Sequence, residues 1–231
     1  MFSRKYMSLV WLVSFILTQP INSFADENIQ PSLKRVSSIR LSNVTFDLFV
    51  SGNYAYVTGV GSSGDDNIAV YILEIYDISN PILPKKVGEL SIPEPIGFGW
   101  AIGIAKPGVY IKDSYAYMTS LASGLYIIDV KEPKNPNIVG RIKSQAQILT
   151  GGVYVMNQYA YLLGRNQLQI VEVKDPHNPK NIGSVELPEE PRGIYVTGDY
   201  AYVSAGWDGL QVIDIKDPQN PKKEAAEQTH G

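Results

Sequence analysis

Tyr200-Ala201-Tyr202-Val203-Ser204, then Leu210-Gln211-Val212-Ile213-Asp214-Ile215, closed by Lys216-Asp217-Pro218-Gln219-Asn220-Pro221, is the stretch that decides the fold. Its opening triplet occurs three more times, as Tyr54-Ala55-Tyr56, Tyr115-Ala116-Tyr117 and Tyr159-Ala160-Tyr161. In each copy an apolar run ends in an acid: Asp77, Asp129, Glu172 or Asp214. The last proline of the turn stands seven residues beyond that acid every time, at Pro84, Pro136, Pro179 and Pro221. Self-similarity with a period in the low forties is the signature of stacked modules.

Each module reads as short strands joined by turns. In the last one, Asn181 to Leu187 alternates, and Gly193-Ile194-Tyr195-Val196-Thr197 is β-branched and aromatic. Gly198-Asp199 signals a tight hairpin into Tyr200 to Ser204, and Gly206-Trp207-Asp208-Gly209 a second turn into Leu210 to Ile215. The prolines that follow cannot donate to a ladder, so the strand stops there. The third strands are apolar on both faces, as in Leu125 to Val130 and Leu168 to Val173, which suits a sheet sandwiched between neighbours. The expected class is all-β: a β-propeller of about four blades, each of four antiparallel strands.

The run of aliphatic residues, Asp or Glu, then Pro-x-x-Pro, preceded by Tyr-Ala-Tyr, resembles the LVIVD repeat of bacterial exported propeller proteins. The resemblance spans about residues 34 to 223 and implies architecture; it implies no catalytic residue. The expected organisation is a signal peptide over 1–25, a propeller over 26–223 and a polar tail over 224–231. The units fall at about 42–88, 108–142, 151–187 and 193–223. Lys222 to Gln228 is polar and poor in β-formers, whereas Leu33 to Leu41 reads like a fourth strand with no unit before it. The economical expectation is that 33–41 pairs with the last blade and closes the ring, giving a monomer. The competing reading is an incomplete arc.

Arg4 and Lys5, the apolar run Ser8 to Thr18, Pro20 and Ser23-Phe24-Ala25 have the layout of an export signal, so the expected mature chain begins at Asp26 in the periplasm or at the cell surface. The chain has no cysteine, which removes disulfides, thiolate catalysis and zinc-thiolate sites together. Without Arg4 and Lys5 the 20 basic residues fall to 18 against 23 acidic ones, with no basic block. Nucleic acid and anionic membrane surfaces are therefore poor partners, and no membrane span is expected after signal cleavage.

Two units carry insertions, Gly59 to Asn67 and Pro93 to Pro107. In a blade of strands a to d, the b–c loops and d–a connections leave on one face of the disc, so both insertions belong to that face. Loops held by a rigid scaffold are where binding concentrates. Phe98, Trp100 and Trp207 are candidate ligand-binding aromatics there, with core capping as the alternative. Asp65 and Asp66 offer oxygen ligands for a divalent cation but lack the spacing of a calcium loop, so a solvated turn is the alternative. No other cofactor is indicated. The four recurring acids suit turn amides better than paired acid–base chemistry. His177 and His230 are the only histidines, and neither is placed like a general base. The leading functional expectation is an exported, non-catalytic module binding a protein or glycan at the cell envelope. The alternatives are a metal-assisted hydrolase or lyase with a channel site near Asp47, Lys112 and Arg192, or a purely structural or truncated propeller.

Overall fold

The computed structural model describes residues 35–39, 41, 43–64, 68–94, 107–121, 123–143, 149–188 and 191–227. Sixteen strands form four antiparallel sheets, each in simple sequence order. Blade 1 holds β1 (Val44–Ser51), β2 (Tyr54–Ser62), β3 (Ala69–Asp77) and β4 (Lys85–Glu94). Blade 2 holds β5 (Val109–Lys112), β6 (Tyr115–Ser120), β7 (Gly124–Asp129) and β8 (Asn137–Ile142). Blade 3 holds β9 (Leu149–Met156), β10 (Tyr159–Gly164), β11 (Gln167–Glu172) and β12 (Lys180–Glu186). Blade 4 holds β13 (Gly193–Thr197), β14 (Tyr200–Ser204), β15 (Leu210–Asp214) and β16 (Lys222–Glu227). The first-unit insertion is partly strand, because β2 and β3 stay paired as far as Ser62 and Ala69.

The repeated triplet works by alternation. The alanine faces the preceding blade and the second tyrosine faces the following one: Ala116 lies in the core shared with blade 1, and Tyr117 in the core shared with blade 3. The a–b hairpins turn through a residue at φ 54–56°, supplied by Gly52, Asp113, Asn157 and Gly198. Glycine meets no Cβ penalty in that region, and Asp and Asn tolerate it best among the others.

The blades also interlock at their outer strands. A Cβ on Gly88 would lie 1.8 Å from the carbonyl oxygen of Pro133, one on Gly140 1.9 Å from that of Pro176, and one on Gly183 2.2 Å from that of Pro218. Each proline turn thus seats its carbonyl on the bare backbone of the previous blade's fourth strand.

Three cores result, between blades 1 and 2, 2 and 3, and 3 and 4. One aromatic from each first strand forms a ladder along the inner rim: Phe49, Tyr110, Tyr154 and Tyr195, with centroids 4.7, 4.8 and 5.3 Å apart. Among the described residues no fourth core joins blade 4 to blade 1, and Tyr195 is 59% exposed.

The expected pairing of 33–41 with the last blade is corrected. The place beside β15 belongs to β16, with Val212 opposite Ala225 and Asp214 opposite Lys222, so the expected polar tail is partly strand. The reason is loop entropy. The edge of β15 needs backbone partners, and the chain just past its own turn closes the shortest loop whatever its side chains. Residues 35–39 belong to no strand, and Ser37 Oγ instead donates to the Pro81 carbonyl at 2.7 Å.

Replacing Gly140 by alanine should cost about 1–3 kcal/mol, since the added methyl must displace backbone rather than a flexible side chain. Urea denaturation would read this as a lower midpoint. An unchanged midpoint would show that the Pro176 turn yields freely.

Candidate functional site

The face reached by the b–c turns and d–a connections carries a polar seam between blades 1 and 2. Glu94 ends β4, where the longer insertion begins, and is 1% exposed. Its Oε1 accepts hydrogen bonds from Ser120 Oγ at 2.5 Å and Tyr126 Oη at 2.9 Å. Its Oε2 is buried and has no hydrogen-bond partner among the described residues. Burying a carboxylate without full pairing is costly, and a buried oxygen left open needs an explanation.

Neighbouring groups hold this arrangement in place. Ser120 Oγ also accepts from the Ser123 backbone N–H at 3.2 Å, which fixes the tight b–c turn of blade 2. The Leu121 N–H donates to Tyr71 Oη at 3.3 Å. Arg141 Nη2 donates to Ser123 Oγ at 2.6 Å, and its guanidinium lies 5.3 Å from the centroid of the Tyr126 ring. Arginine therefore sits one shell behind the carboxylate. Burial pushes the Tyr126 phenol above its usual range, keeping it a neutral donor to Glu94. The far end of the insertion is pinned as well: Thr58 Oγ1 donates to the Pro107 carbonyl at 2.6 Å, and the Gly108 N–H donates to Thr119 Oγ1 at 2.8 Å.

Across the same face, Trp207 lies on a short 3-10 turn, Gly206–Asp208, and is 90% exposed. It caps no core. Beside it Gln211 is buried; its Nε2 donates to the Asp208 carbonyl at 2.7 Å, and its Oε1 has no partner among the described residues. Phe98, Trp100, Asp65 and Asp66 lie outside the described residues. Glu94 escaped the sequence reading, although its setting between Pro93 and Pro95 at the mouth of the insertion marked the spot.

Two of the three groups considered for a channel site, Asp47 and Lys112, engage backbone instead. Asp47 Oδ1 accepts from the Leu48 N–H at 2.8 Å and Oδ2 from the Val109 N–H at 2.9 Å, stitching β1 to β5. Lys112 Nζ donates to the Asn157 carbonyl. Among the described residues no cluster of three or more His, Cys, Asp or Glu is placed to hold a metal.

On the opposite face three of the four recurring acids hold their turns. Asp77, Asp129 and Asp214 each accept, at 2.8 Å, the backbone N–H two residues on, from Ser79, Lys131 and Lys216. Asp175 and Asp217 repeat the device within their turns and also take the side-chain amides of Asn178 and Asn220 at 2.8 Å. A shallow cleft of about 310 Å³ lies there, lined by Glu172, Lys174, Asp175, Asn178 and Lys180. The turn's own hydrogen bonds already occupy Asp175.

Four sheets of four antiparallel strands, stacked so that each blade covers the last, define a β-propeller-type repeat protein. The chain belongs to the LVIVD repeat family, whose model matches residues 44–63, 103–144, 150–186 and 190–224. No curated protein matches it. Among solved structures it is similar to the crystal structure of the computationally designed Ika4 protein, with a TM-score of 0.56 and 8% identity over 78% of this chain and 98% of that one. That likeness concerns the fold alone.

The turn acids set a pH dependence. The side-chain donor on Ser79 and its amide lower the Asp77 pKa, and the side-chain amides of Asn178 and Asn220 lead in lowering those of Asp175 and Asp217. A carboxyl whose pKa is depressed by folding stabilises the fold above its unfolded value, near 3.8, and loses that contribution as pH falls through the folded value. Thermal melts should therefore show stability dropping below about pH 4, less steeply in Asp175→Asn with Asp217→Asn. Identical acid limbs would remove these turns from the account.

Replacing Tyr126 by phenylalanine leaves Glu94 with Ser120 as its one donor. It should cost about 1–3 kcal/mol in urea denaturation at neutral pH. A neutral effect would mean that water replaces the phenol.

Proposed function

We propose that this chain is an exported, non-catalytic binding module that engages a protein or glycan partner at the cell envelope through the face bearing the two insertions. One observation carries the reading: among the described residues, the buried side-chain oxygens left without a hydrogen-bond partner, Glu94 Oε2 and Gln211 Oε1, belong to strand ends on that face. On the opposite face Asp77, Asp129, Asp175, Asp214 and Asp217 accept amides of their own turns. An open acceptor at the blade 1–2 seam and another beside the exposed indole of blade 4 suit a partner that brings hydrogen-bond donors and a flat apolar surface, as a sugar ring or a peptide does.

The test is retention of the purified protein on envelope glycan and on envelope protein fractions, measured for the wild type, Trp207→Ala and Glu94→Gln. Trp207→Ala should weaken binding by about tenfold, in line with loss of one aromatic anchor, without moving the melting temperature. Equal retention of all three proteins, or none on either fraction, would sink the reading.

A further inference from the structure

The two ends of the blade array are unfinished in complementary ways. At the leading end, blade 4 repeats residues that the other blades bury. Leu73, Leu125 and Leu168 are 0% exposed, whereas Leu210 at the same place is 43% exposed. Tyr195 and Tyr200 stand open beside it. At the trailing end, Val50 of blade 1 is exposed where its counterpart Val196 is buried.

The outer strands sharpen the comparison. Next to each interlocking glycine the fourth strands carry two aliphatics that pack on the following blade: Val87 and Leu90 around Gly88, Val139 and Ile142 around Gly140, Ile182 and Val185 around Gly183. The glycines lie opposite Ile75, Ile127 and Ile170, and in blade 4 the residue opposite Val212 is Ala225. By that register β16 has alanine for the glycine and Glu224 and Glu227 for the aliphatics. It is the wrong strand to lie beneath another blade.

Residues 35–39 have the matching pattern, with Val36, Ser37 and Ile39 in the three places. Ser37 meets the Pro81 carbonyl, the counterpart in blade 1 of the carbonyls of Pro133, Pro176 and Pro218 that meet the glycines. The segment thus already occupies the fourth-strand place of a blade ahead of blade 1. It pairs with no described strand, and Val36 and Ile39 are exposed.

We propose that two copies of this chain close a ring of eight blades. The segment around Ser37 of each copy adds to the β15 edge of the other, displaces β16, and carries blade 1 onto the open face of blade 4. A ring of four needs a quarter turn at every junction, and such turns would make β13 and β1 neighbours as β9 and β13 are. Among the described residues β13 does not pack against β1 as closely as β9 packs against β13, so blades 4 and 1 of one chain do not close on each other. Closing one copy on itself would require repacking all three cores, which are dense and resist continuous deformation. Two copies keep those junctions and reach eight blades, the upper end of the usual range, whereas three would exceed it. At each new junction Tyr195 of one copy continues the ladder onto Phe49 of the other.

The cysteine-free chain makes the test clean. Under mild oxidation, Phe49→Cys with Tyr195→Cys should give a covalent two-chain species, and neither single variant should. In light scattering the unmodified protein should have the mass of two chains. Val36→Asp with Ile39→Asp should reduce it to one chain with an unchanged β-sheet circular dichroism spectrum, while Glu224→Lys with Glu227→Lys leaves it at two. A one-chain mass for the unmodified protein, an intramolecular disulfide in the double cysteine variant, or linkage by Tyr195→Cys alone would each overturn the proposal. So would open-ended oligomers.

Discussion

A four-stranded blade in this chain is apolar on both faces and cannot bury either alone. Everything else follows from that constraint. The third strands are apolar on both faces, so each blade is stable only against a neighbour. The three cores are where the sequence spends its largest fully buried side chains, among them Tyr71, Tyr161, Leu125 and Ile127. The tyrosine-alanine alternation divides labour between the faces: one offers a large ring, the other a small hollow to receive it.

The same constraint explains the prolines. A turn ending Pro-x-x-Pro stops the third strand and presents a rigid carbonyl to the preceding blade. At Pro133, Pro176 and Pro218 that carbonyl lies where a Cβ on the facing fourth-strand glycine would stand. The acids before the prolines hold the turn from within, by accepting amides two residues on. Motif, turn and interlock are one device, and its uniformity leaves that face little freedom for recognition. Variation is left to the other face, where the connections differ in length and where Glu94 and Trp207 lie.

How much of this was legible follows from how local each feature is. Four blades, their strands and the structural role of Asp77, Asp129 and Asp214 could be read because each depends on residues a few positions apart. Glu94 could not be recognised as a site residue, since its meaning comes from Ser120 and Tyr126 on the next blade. Trp207 could be placed on the right turn, but whether it capped a core or stood in water depended on packing. The closing strand was misjudged for a related reason. Composition disfavours Lys222 to Glu227 as a strand, yet proximity to the β15 edge outweighs composition.

The sequence by itself determined the blade: its strands, its turns and the residues each face offers, because these are set by alternation and by turn chemistry within some forty residues. The tertiary structure alone decided how blades sum. The angle at each junction is an outcome of side-chain packing across two units, and no local pattern encodes it. It leaves the last face of the array open, and places Ser37 against Pro81, where a preceding blade would have put glycine.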